Sequence, residues 1–291
     1  MMDQFQAVLA LDSRADLGEG AIWDPRGKVL RWVDINRQEV HAFDPVTRRD
    51  SHVCADQKVG TVVTRTRGGL VVALADGFYA MDLSSGACTL LARPEGEPEG
   101  SRFNDGKCDP AGRFWAGTMA KNGGGALYCL DRDHRLRRML DGITTSNGIT
   151  WSLDASKMYY IDTPTAEIQA FDYDLDSGNI DHKTIAARIK PGDGHPDGMT
   201  IDAEGKLWVA LWGGYKVVRL DPANGEMLAE ISVPTAHVTS CAFCGADLKD
   251  LYITTAMAGL SREMREAQPE AGCIFHARPG VAGVLPYEFA G

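Results

Sequence analysis

The 291-residue chain reads as an all-β protein, a six-bladed β-propeller with a metal site in its channel and a ring closed by its N-terminal strand. Three observations carry that reading. First, one unit recurs along the chain: a short apolar strand, an Asp-Pro or Asp-X-X-Gly turn, an apolar run holding Trp or Tyr, then a further turn and strand. Second, the aligned starts of that unit, Glu19, Gly60, Asn104, Asn147, Asp197 and Thr239, lie 41, 44, 43, 50 and 42 residues apart. That period suits one four-stranded blade apiece. Third, helical periodicity is nearly absent. Residues 261–268 form the one predicted helix, with Ser261 as its cap and Pro269 as its stop.

The elements follow in chain order. Residues 5–11 are an apolar strand with no partner in their own repeat, available to close the ring. The inner strands start at the six aligned positions and end in turns such as Asp24-Pro25-Arg26-Gly27, Asp109-Pro110-Ala111-Gly112 and Asp202-Ala203-Glu204-Gly205. In such turns Asp bonds the backbone, Pro presets φ and Gly takes the last place. Outer hairpins recur at 40–45, 78–82, 126–131, 168–172 and 217–222, five in all. The sixth blade lacks one, so the N-terminal strand is expected beside residues 272–276 or 286–289. The repeats make residues 1–291 one propeller domain, since blades pack on their neighbours around a closed ring. Residues 95–101 read as a loop bordering the central opening.

Bulk properties exclude several classes. A net charge of −10 and no basic stripe argue against a nucleic-acid surface. No apolar stretch is long enough for a membrane span, and residues 7–11 are too short for a signal core. Seven cysteines, an odd number, are scattered at apolar or turn positions, which points to a reducing, cytoplasmic setting. Cys241 and Cys244 have metal-pair spacing, but no second pair completes a tetrahedral site, and three residues apart on a strand they face opposite sides. No obligate protein partner is evident.

The chemistry lies at the aligned starts. In a propeller the innermost strands line the channel, so their leading residues converge. Glu19, Asn147 and Asp197 offer two carboxylates and an amide oxygen, an oxygen-only set for Ca²⁺, Mg²⁺ or Mn²⁺. Any one Asn or Asp before Gly is explained as a turn former. Three in register are not.

Five motifs in order, Leu17-Gly-Glu-Gly-Ala-Ile-Trp23, Arg102-Phe-Asn-Asp-Gly106, Phe114-Trp-Ala-Gly-Thr-Met119, Ser146-Asn-Gly-Ile149 and Pro196-Asp-Gly-Met-Thr-Ile-Asp202, resemble the SMP-30/gluconolactonase family of sugar lactonases. The turn Trp212-Gly-Gly214 resembles bacterial aldonolactonases within it. The resemblance implies one divalent metal in a six-bladed propeller, held by Glu19, Asn147 and Asp197, its identity open among Ca²⁺, Zn²⁺, Mn²⁺, Mg²⁺ and Fe²⁺. It also implies that Arg102 and Asn104 hold the hydroxyl groups of a small sugar lactone. One departure stands out: where animal members carry a substrate-contacting Glu, this chain has Lys121. A cation there cannot accept hydroxyl hydrogen bonds, unless Lys121 points outward and has no role.

The implied reaction is metal-dependent hydrolysis of a pentono- or hexono-lactone to the aldonic acid, with Asp197 as the base that activates water. His195, two residues before Asp197, is a weaker candidate for substrate contact, His237 reads as a loop or channel-lining residue, and Trp212 and Tyr215 are candidates for lining the pocket. The alternatives are an esterase or phosphotriesterase on the same scaffold and a non-catalytic metal-binding regulator. The first wants an apolar mouth, the second has no need of Arg102. A protein-binding propeller of the WD type has no reason to converge Glu, Asn and Asp, and its signature is missing.

Overall fold

The computed structural model describes residues 2–291. Twenty-four antiparallel-paired strands and one parallel addition form five four-stranded sheets and one five-stranded sheet. The innermost strands are Gly18–Asp24, Val59–Thr64, Arg102–Cys108, Ser146–Trp151, His195–Ile201 and Val238–Cys244, one for each of blades 1 to 6. Each packs on the next, and the sixth lies against the first. This is a six-bladed β-propeller.

Apolar side chains fill the gaps between blades. Phe78 of blade 2 meets Phe103 and Phe114 of blade 3 edge to face, at centroid separations of 4.8 and 5.1 Å. Each such pair adds about 0.5–1.5 kcal/mol beyond simple burial. Trp32, Trp115 and Trp208, in the second strands of blades 1, 3 and 5, are fully buried.

The turn aspartates do more than their turn chemistry requires. Asp24, Asp109 and Asp202 each accept backbone N–H bonds within their turn. Asp109 also accepts from the indole of Trp115 at 2.9 Å, the hydroxyl of Tyr173 and the guanidinium of Arg113. Asp202 binds Trp208 at 2.9 Å and Arg219 at 2.8 Å, and Asp24 binds Arg31 at 3.0 Å. Asp202 thus ties the turn, second strand and third strand of its blade together, with its charge compensated.

Ring closure uses the N-terminal segment twice. Val8–Leu11 pairs antiparallel with Ile274–Ala277, as the first of the two expected sites requires, and completes blade 6. Asp3–Gln6 runs parallel to Met227–Ser232 as a fifth strand on blade 5. The predicted 5–11 strand is therefore two strands on two blades, which covers two edges. Residues 286–289 take another role. The C-terminal tail crosses the face that carries the inner turns: Phe289 exchanges backbone bonds with Thr64 and Thr66, Ala290 bonds Gly112, and Ala203 bonds Ala282. The tail lies across the channel on that face, and a cavity remains between Val284–Tyr287 and the inner strands.

The helix spans Arg262–Ala267, and Ser261 caps it by accepting from the Met264 N–H at 3.2 Å. All seven cysteines are free thiols. Cys241 and Cys244 are both buried but in different interblade clusters, as opposite faces demand. Among the described residues no helix is long and apolar enough to cross a membrane.

Candidate metal and substrate site

Every inner strand carries a β-bulge, and every bulge falls at an aligned start. Register breaks between Glu19 and Ile22, Val59 and Thr61, Phe103 and Gly106, Ser146 and Ile149, Pro196 and Met199, and Val238 and Ser240. In each case one extra residue sits opposite a regular second strand. A bulge re-aims the side chain it carries and sharpens the local twist. Asn104, Asn147 and Asp197 fall inside their bulges, Glu19 is the last paired residue before its own, and all four are aimed into the channel. The glycines that follow have no room for a side chain. A Cβ on Gly148 would lie 2.7 Å from the Asp197 carbonyl, and one on Gly198 would lie 2.6 Å from the Ser240 hydroxyl.

Loops before these strands are tied from below. Buried Asp34 accepts from the backbone N–H groups of Asp16 and Leu17, just before Glu19. Asp162 does the same for Thr144 and Thr145, just before Asn147.

Glu19, Asn104, Asn147 and Asp197 are all buried. Asn147 Nδ2 donates to Thr163 Oγ1 at 2.8 Å, and Thr163 spends its own proton on the Pro196 carbonyl at 2.8 Å. Thr163 Oγ1 can therefore only accept from Asn147, and the Asn147 oxygen faces the channel. Asn104 Nδ2 donates to the Ser146 carbonyl at 2.8 Å and lies 3.3 Å from Asn147 Oδ1, while Asn104 Oδ1 accepts from Arg102 at 2.7 Å. Both ends of the Asn104 amide are thus engaged inside the protein, linking Arg102 to Asn147. Arg102 also donates to the Phe103 carbonyl. Burial depresses its guanidinium, and the charges of Glu19 and Asp197 oppose that.

The Glu19 and Asp197 carboxyls lie within hydrogen-bond reach of each other and have few partners from the rest of the chain. Glu19 Oε2 accepts only a 3.2 Å bond from the Gly20 N–H, and Asp197 Oδ1 is buried with none. Burial, then the charge of Asp105, push Glu19 up to about 8. Burial, then the charges of Glu19 and Asp105, push Asp197 well above the usual carboxylate range. Buried like charges of this kind are stable only with a shared proton or a cation. The donor set of two carboxylates and an inward amide oxygen, with an orphaned Asp197 oxygen, fits a divalent metal ion.

Sequence reasoning missed Asp105. Strand alternation aims it away from Asn104, but the bulge carries both residues, and Asp105 is buried with Oδ2 unpartnered. Its carboxyl is raised by burial and pulled back by Lys107, which donates to the Met199 carbonyl in the channel. Thr163 was also unmarked; its signal was the run Asp162-Thr-Pro at the end of a second strand.

His195 is exposed at the strand start, lining a shallow hollow with Ile189, Lys190 and Gly213 between blades 4 and 5. Lys121 is exposed on a 3-10 turn at the rim of blade 3, and its ammonium makes no hydrogen bond among the described residues. Trp212 stacks on His237 at 3.8 Å, and His237 donates from Nδ1 to the Ala258 carbonyl. Tyr215 is partly exposed and accepts from Gln268. Loop 95–101 packs at the rim between blades 2 and 3, with Glu97 accepting from the Tyr128 hydroxyl.

The motifs at this site are those of a known family, whose profile, described as SMP-30/Gluconolactonase/LRE-like region, matches residues 17–257. The chain belongs to that family. It is 43% identical over 98% of its length to a Bacillus subtilis (strain 168) protein named "Putative sugar lactone lactonase YvrE", 99% of which is covered. It is 38% identical to regucalcin of Homo sapiens over 100% of both chains. Among solved structures, a calcium-binding protein, regucalcin, from Agrobacterium tumefaciens str. C58 superposes with a TM-score of 0.94 at 26% identity, over 99% of each chain.

Proposed function

We propose that the protein hydrolyses a sugar lactone, a pentono- or hexono-1,4- or 1,5-lactone, to its aldonic acid in a divalent-metal-dependent reaction. The observation that carries this reading is the bulged convergence of Glu19, Asn147 and Asp197 beside Arg102, with an Asp197 oxygen left without a partner. The gluconolactonase-like family and the lactonase name of the Bacillus subtilis relative support it.

Glu19, Asn147 and Asp197 would hold the metal. Two carboxylate charges balance a divalent ion, and the neutral Asn147 oxygen adds a ligand without adding charge. When bound, the ion supplies positive charge that polarises the lactone carbonyl. Asp197 is the base: it takes the proton of the attacking water as the acyl carbon is attacked, and returns a proton to the ring oxygen as the ester bond breaks. Arg102 donates to sugar hydroxyl groups, and Asn104 holds its guanidinium in place through the 2.7 Å bond.

The test is ring opening of arabinono-, xylono-, galactono- and glucono-lactones by proton release, on chelated protein and after single metals are restored. Metal-restored turnover on one lactone supports the reading. Metal binding without turnover on any of them favours a non-catalytic calcium-binding role or a non-sugar ester.

A further inference from the structure

Outside the channel, blade 1 presents a second cluster of ligating groups. Its two outer strands, Glu39–Asp44 and Arg49–Cys54, pair antiparallel with His41 opposite His52. Opposed residues share a face, and Glu39, two residues from His41, shares it too. The Glu39 carboxylate and the two imidazoles offer ligand atoms all within 4.8 Å of one another. His41 Nε2 lies 3.1 Å from Glu39 Oε2, and His52 Nε2 lies 3.7 Å from Glu39 Oε1.

The inner part of the cluster is rigid. His41 is buried and stacks on fully buried Trp32 with centroids 3.7 Å apart. Its Nδ1 lies 2.6 Å from Asp50 Oδ2, and the Trp32 indole donates to the other Asp50 oxygen at 3.3 Å. The closer carboxylate accepts the hydrogen bond from Nδ1–H, so the Nε2 lone pair is left facing the Glu39 carboxylate. Two acceptors 3.1 Å apart repel unless a cation joins them. That cation is either a second proton or a metal.

We propose that Glu39, His41 and His52 form a transition-metal site of the zinc class, with Asp50 as the positioning residue for His41. Two imidazoles and one carboxylate are a donor set for Zn²⁺, not for the oxygen-seeking Ca²⁺. A carboxylate behind a ligating histidine sets its tautomer and raises its basicity. The fourth position opens to solvent through exposed His52. Bound there, the ion would staple the two outermost strands of blade 1.

Zinc titration of the full chain by calorimetry, in excess calcium, tests this together with imidazole NMR. The wild type is expected to bind one more equivalent of Zn²⁺ than either His52→Ala or Glu39→Gln, and zinc should shift the His41 and His52 resonances. Asp50→Asn keeps all three ligands and should weaken that zinc about 10–100-fold. His52 is exposed, so its loss leaves the Trp32 packing intact, and the His41 resonance reports on folding. Equal zinc stoichiometry in all three proteins, or unmoved imidazole resonances, overturns the site and leaves His41 as a structural bridge between Glu39 and Asp50.

Discussion

The two ends of the channel are built from one repeat, yet they treat their acids in opposite ways. On the tail-covered face, Asp24, Asp109 and Asp202 each meet an arginine, and the last two also take an indole N–H. On the open face, Glu19, Asp105 and Asp197 face one another across the bulges, with two of their oxygens orphaned. A buried carboxylate with its hydrogen bonds and countercharge supplied within the chain holds the fold. One with an oxygen left unpartnered can accept a cation that arrives later. The comparison separates scaffold from site without reference to position in the sequence.

The largest effect that sharpens this contrast is expected at Asp197. Asp197→Asn should lower lactone turnover by about 10²–10⁴-fold, as loss of a general base does, while circular dichroism stays that of a folded propeller. Near-wild-type turnover would break the assignment. At the opposite end the effect should fall on stability instead. Asp202→Ala strands Arg219 and the Trp208 indole, and urea unfolding should show a loss of about 3–5 kcal/mol; unchanged stability would mean that the clasp carries no weight.

A smaller effect is expected one step back from the site. Thr163→Val removes the acceptor that orients Asn147, and metal affinity should drop about 10–100-fold. Equal affinities in direct titration would show that Asn147 keeps its orientation unaided.

The acids should also part company as pH changes. Glu19 and Asp197 have raised native pKa values, so the folded state binds protons more tightly than the unfolded chain. Their contribution is fully present below the ordinary carboxylate range and is lost as pH rises from 4.5 towards about 8. Metal-free protein should therefore melt at progressively lower temperature across that window, and a divalent ion should flatten the profile. The trend should also shrink in Asp197→Asn, whereas a flat metal-free profile would contradict the raised values. The smallest effect is at the rim: Lys121→Glu should change the ratio of pentono- to hexono-lactone turnover a few-fold, and an unchanged ratio would place Lys121 outside the substrate's reach.

Much of this was legible beforehand because it is local. The turn residues, the alternating apolar runs and the Ser261 cap act over a few positions each, and they specify strands, spacing and helix without help from elsewhere. The N-terminal closure was legible as a missing strand, since one blade lacked a partner. Its division between blades 5 and 6 was not, because Asp3–Gln6 and Val8–Leu11 differ only in which edge lies nearest. Nor was the role of residues 286–289, since Phe289 bonds Thr64 and Thr66 of blade 2, far away in sequence.

Within the site, the alignment of Glu19, Asn147 and Asp197 was readable as a repeat. Its consequence for Asp105 was not. A regular strand sends neighbouring side chains to opposite faces, and by that rule Asn104 and Asp105 part. The inner strands pack so closely around the channel that Gly106, Gly148 and Gly198 leave no room for a side chain, and each strand takes up its extra residue as a bulge. By itself the sequence determined the number of blades, the turns and the acids placed at each repeat, all set by short-range propensity and apolar period. Tertiary structure alone decided which acids meet a cation and which meet each other, because that depends on six strands closing around one axis.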